Sequence, residues 1–116
     1  MTYTVEQIRQ QPAGEQLDAR LASAFGWEHY FAKTGIVVKR QDGKTFHAHL
    51  STTWSGMELV VEEMRAEYSL ELSVPGKRYG DRWAARFGIY SEHAFAETAP
   101  HAVAIAALLA LKGETA

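Results

Sequence analysis

The chain contains no cysteine. Disulfides and thiolate metal sites therefore play no part in its stability or chemistry, and a reducing compartment suits it. It has only three prolines and no proline-rich, glycine-rich or low-complexity tract, so nothing in it reads as an interdomain linker. The opening stretch MTYTVEQIRQQ lacks a basic segment followed by an apolar core. It does not read as a secretory leader, and a cytoplasmic protein is expected. The one long apolar run, Thr98 to Leu111, is shorter than the about 20 residues that a membrane-spanning helix needs. Neither sign of charge dominates: the formal net charge is −2, which supplies no global pull toward nucleic acid or an anionic membrane. Cationic contacts would have to be local, and long duplex is disfavoured.

What remains is an ordinary globular composition, 47% apolar and 22% charged over 116 residues, enough for one domain (1–116) with a real core. Residues 1–13 read as a short N-terminal helix or arm, with Thr4 and Gln7 spaced as a capping box and Pro12 as its stop. A second helix follows Gly14, with Leu17, Leu21 and Phe25 on one face and Glu15, Asp18 and Arg20 away from it. Gly26 is its natural stop, and Trp27 folds back over the helix end as packing. After an aromatic connector, Trp27 to Phe31, the pattern turns to strand. Ile36-Val37-Val38, the turn pair Asp42-Gly43 and the alternating Lys44 to Leu50 predict a hairpin.

Ser51 or Thr52 then caps a helix whose apolar stripe is Trp54, Met57, Val61, Met64 and Tyr68; Glu58, Glu62 and Arg65 form its solvated side. Ser69 to Val74 and Arg82 to Tyr90 predict a second hairpin, with Trp83, Ala85, Phe87 and Ile89 inward, and SEHAFAE is a polar connection. The last helix starts with Thr98 as cap and Pro100 in its first turn and ends at Lys112-Gly113. Its run of alanine, valine, isoleucine and leucine has no polar side and must be enclosed. The expected fold is α+β: a small antiparallel sheet of about four strands in two hairpins, sandwiched by helices.

Chemistry is sparse in this pattern. No GxSxG, HExxH, EF-hand or phosphate-loop motif is present, no cofactor is indicated, and the reading is of a protein that is not an enzyme. His47 and His49 lie two apart on a predicted strand and would share a face, but His29, His93 and His101 offer no local third ligand. The best local feature is cationic. Lys77, Arg78, Arg82 and Arg86, with Tyr90 on the face of the last two, would suit a small anionic ligand such as a nucleotide, by bidentate contact and stacking. The plainer reading pairs Arg82 and Arg86 with Glu71 across the hairpin.

Four blocks in order, GEQLDARLASAFGW, STTWSGMELVVEEMR, WAARF and AETAPHAVAIAALLAL, resemble the small phage-encoded family called the phage ABA sandwich domain. One position departs from that pattern: the middle-helix tryptophan expected at Glu58 stands a turn earlier, at Trp54. The resemblance implies a helix, sheet, helix sandwich and a phage or prophage protein acting in the bacterial host cell. It implies no reaction and no catalytic residue. The reading that follows is a binding protein whose partner is a host or phage protein, a small anionic ligand, or a second copy of itself joined through the last helix or a sheet edge. A nucleic-acid role through the basic hairpin is the alternative, and an enzyme of unrecognised type the second alternative.

Overall fold

The structure, a computed structural model, describes residues 4–77, 80–88 and 93–115, the last three by backbone alone. Among the described residues the fold is α+β, four helices with two three-stranded antiparallel sheets. Helix α1 (Val5–Gln10) has the expected capping box: the Thr4 hydroxyl accepts from Gln7 N–H at 3.1 Å and the Gln7 side chain accepts from Thr4 N–H at 2.9 Å. Helix α2 (Glu15–Ala24) buries Leu17 and Leu21 completely, while Phe25 stays half-buried against Trp27, ring centroids 5.0 Å apart. Gly26 takes the left-handed φ of 76° and donates to Ser23 O; Trp27 N–H bonds Ala22 O at 2.8 Å. That pair of bonds satisfies the last carbonyls of the helix and draws Trp27 into the core.

The first sheet has the order β1 (Glu28–Ala32), β2 (Gly35–Lys39), β3 (Thr45–Ala48). The second has the order β4 (Leu70–Ser73), β5 (Trp83–Phe87), β6 (Ala94–Ala96). Strands β1 and β6 correct the expectation of four strands. Their sequences read as connections, because an edge strand with one side in water shows little alternation, and β6 is only three residues long. Each is recruited by the ladder of its hairpin, β1 onto β2 and β6 onto β5.

Helix α3 (Trp54–Met64) departs from the expected wheel. Its buried ridge is Gly56, Val60 and Met64, so Trp54 is thrown outward. The cap is Thr53, whose hydroxyl accepts from Gly56 N–H at 2.9 Å, not Ser51 or Thr52. Gly56 is there for space, since a Cβ at that position would lie 1.9 Å from the His49 carbonyl oxygen. Ser51 is instead fully buried and bonded to Asp18, one of the residues placed away from the apolar stripe of α2.

Helix α4 (Ala99–Thr115) is the centre of the molecule. It packs along β5 and β6, and α1, α2 and α3 close around it. Every residue from Ala102 to Ala110 is at most 8% exposed. The alanines allow close backbone approach to a sheet that presents Ala85, Ala94 and Ala96 beside the larger Phe87. Thr98 caps the helix through its carbonyl and hydroxyl, and Pro100 sits in the first turn as expected. Gly113 does not stop it; the helical backbone runs on to Thr115. The chain itself thus encloses Ala102 to Ala110 of this helix.

Candidate functional site

The ladder of the second sheet brings the central cation of the predicted cationic hairpin opposite an acid. Glu71 on β4 is the cross-strand partner of Arg86 on β5, and their side chains meet at 2.5 Å. The other Glu71 oxygen lies 3.2 Å from His93 Nε2. Arg86 first and His93 second hold the Glu71 carboxyl below the usual carboxylate range. The His93 ring stacks on Phe95 at 6.2 Å, and the Arg82 guanidinium lies over the other member of that stack, 5.1 Å from the Phe95 centroid. Arg9 from α1 donates to the His93 carbonyl at 2.9 Å, fastening the N-terminal helix to the same face.

The outer face of the second sheet is thus a connected row: Arg86, Glu71, His93, Phe95, Arg82. Arg86 is neutralised within it. Arg82 precedes β5 and is exposed, as is Lys77 in the turn between β4 and β5. Arg78 and Tyr90 lie outside the described residues. What this face can do chemically is present a guanidinium on an aromatic platform with a lysine on a nearby turn.

The histidines are dispersed. His47 and His49 do lie to one side of the first sheet, His47 opposite Val37 and the His49 ring against Gly35. His29 pairs with Val38 and so points to the other side, where it meets Phe31 edge-on. His101 Nε2 is bonded to the Gln11 carbonyl at 2.8 Å. Among the described residues no group of three or more histidine or carboxylate side chains is placed to hold a metal ion.

Two features escaped the sequence reading. One is the Asp18–Ser51 pair: Asp18 Oδ1 accepts from Ser51 Oγ at 2.6 Å and from Ser51 N–H at 2.8 Å, and the Ser51 hydroxyl also accepts from Gly14 N–H at 2.9 Å. Burial pushes the Asp18 carboxyl up, against the lowering effect of those bonds. Ser51 is sealed from solvent, so the pair clamps α2 to the bend before α3 and presents no nucleophile. The other is an aromatic rim. Trp54 meets Trp83 edge-on at 5.7 Å with its indole 58% exposed, and Val74, next after the residue paired with Ala84, is 68% exposed. The position of Trp54 immediately after a threonine cap, two residues ahead of the Gly56, Val60, Met64 ridge, was the available signal.

An open groove of about 440 Å³ follows the turn from α3 to β4, floored by Val61, Tyr68, Leu70 and Phe87 and edged by Arg65 and Glu67. Arg65 is engaged by Glu62 at 3.2 Å. No described helix is long and apolar enough to cross a membrane. No protein-family model matches the chain, and neither a curated protein nor a solved structure matches it.

Proposed function

We propose that this chain is an accessory phage or prophage protein that works by docking on a host or phage protein, without catalysis. The resemblance of its four sequence blocks supports the origin. The Trp54–Trp83 rim with Val74 carries the binding role. A fold that takes nine successive residues of α4 out of water leaves the Trp54 side chain more than half exposed, edge-on to the partly buried Trp83, with Val74 also more than half exposed. An exposed indole resting on a second aromatic is characteristic of protein interfaces, where tryptophans are frequent anchors. The test is a pull-down from phage-infected bacterial cells with wild-type and Trp54→Ala baits at equal loading. A partner held by the first and lost by the second supports the reading; identical protein sets on both overturn it.

A second reading is favoured by Arg82 over Phe95 with Lys77 on the neighbouring turn. This platform suits a small anion such as a nucleotide, or single-stranded nucleic acid, by stacking and one or two phosphate contacts. Arg86 contributes little to it while held by Glu71. Native mass spectrometry of protein from cells would reveal a retained anion, and retention of single-stranded DNA unchanged in Arg82→Ala would exclude the platform.

A further inference from the structure

The chemistry around the aromatic rim narrows the partner, on the footing that the rim is the docking surface proposed above. Trp54, Glu58 and Glu62 follow one another at four-residue spacing on α3 and so form one ridge, and all three are exposed. Glu62 pairs with Arg65, while Glu58 makes no ion pair among the described residues. Glu63, next after Glu62 on the same helix, is exposed as well. Carboxylates therefore follow the Trp54 indole along the exposed side of α3. Lys77, in the turn between β4 and β5, is exposed, and Arg82 is drawn onto Phe95.

We infer that the Trp54–Trp83 rim receives a basic segment of a partner protein. An arginine or lysine of that segment lies over the exposed Trp54 indole, where the ring quadrupole attracts a cation. Its neighbour a helical turn away meets Glu58, and an aliphatic residue covers Val74. The same carboxylates repel an acidic segment or a nucleic-acid backbone from this surface, so it is separate in kind from the Arg82 platform.

Three synthetic helical peptides of equal length and apolar content, with polar faces of arginine, glutamine or glutamate, distinguish the outcomes when titrated into the full chain by calorimetry. The arginine peptide is expected to bind about tenfold more tightly than the glutamine peptide, the sum of one cation–π contact and one or two exposed ion pairs. That advantage should disappear in Glu58→Gln/Glu62→Gln, all binding should be lost in Trp54→Ala, and Arg82→Ala should change nothing. Equal binding of the three peptides that still depends on Trp54 overturns the basic partner and leaves the docking surface standing. Binding of none of them, or binding indifferent to Trp54→Ala, removes both. A Trp54-dependent dimer in sedimentation velocity replaces the basic partner with a second copy of the chain.

Discussion

The two sheets have the same strand count and the same antiparallel order, yet they are held in opposite ways. The middle strand of the first turns Ile36 and Val38, both 0% exposed, into the core, and these branched side chains fill the space beside α2. The middle strand of the second turns Ala85 and Phe87 inward, and the alanines of α4 close on Ala85 and its β6 neighbours by backbone approach. One interface is filled by branched side chains, the other by alanines around one large ring. Their outer faces differ too. The first carries Tyr30, Val37 and His47 across one row, whereas the second carries the Arg86, Glu71, His93 row and the Arg82–Phe95 stack.

The comparison breaks hardest where volume is added. Gly56→Ala, with its Cβ driven into the His49 carbonyl oxygen of the bend leaving the first sheet, should cost about 4 kcal/mol or prevent folding, read from the denaturant midpoint. Ala85→Leu, under α4, should cost about 3 kcal/mol by overpacking. Val38→Ala, in the first sheet, should cost about 2 kcal/mol by leaving a cavity. If Ala85→Leu is milder than Val38→Ala, the proposed contrast between the interfaces is wrong.

Smaller effects separate the two carboxylates. Asp18→Ala should lose about 2 kcal/mol, because the Ser51 N–H and hydroxyl are left without their acceptor, while Asp18→Asn keeps an acceptor and should stay within about 1 kcal/mol. Since burial raises the Asp18 pKa above its ordinary 3.8, the folded state holds that proton longer than the unfolded one. Stability contributed by Asp18 is therefore lost as pH rises from 3.8 through the raised value, and Asp18→Asn should gain on wild type across that window. Glu71 runs the other way. Its lowered pKa means stability that is present above 4.5 and lost as pH falls through the lowered value. Glu71→Gln should flatten that acid limb and, at neutral pH, lower Tm only slightly, by an amount that added salt erases.

The helices, the hairpin cores, the buried final segment and the cap at Thr4 were legible in the sequence. Each rests on burial or hydrogen bonding that repeats at the period of its own backbone, so a window of a few residues contains the cause. The same holds for Trp27, whose burial follows from the glycine before it. The candidate cations were legible as residue types, and so was Glu71 as an alternative partner for Arg82 and Arg86. Their division was not: pairing register gives Glu71 to Arg86, and β6, invisible as a strand, supplies the Phe95 that holds Arg82.

Beyond that division lie properties that no local window contains. Periodicity puts Trp54 on the apolar stripe of α3; the close approach of Gly56 to the His49 carbonyl selects the wheel that exposes it. Asp18 looks like any surface carboxylate until a serine 33 residues away is folded onto it. Amino-acid order was enough to say which segments must leave water and in what regular form, because that choice is made by neighbours along the chain. Which polar groups are captured inside, and which large apolar ones are left outside, is settled by neighbours across space, and the outward-facing indole of Trp54 is the product of that second choice.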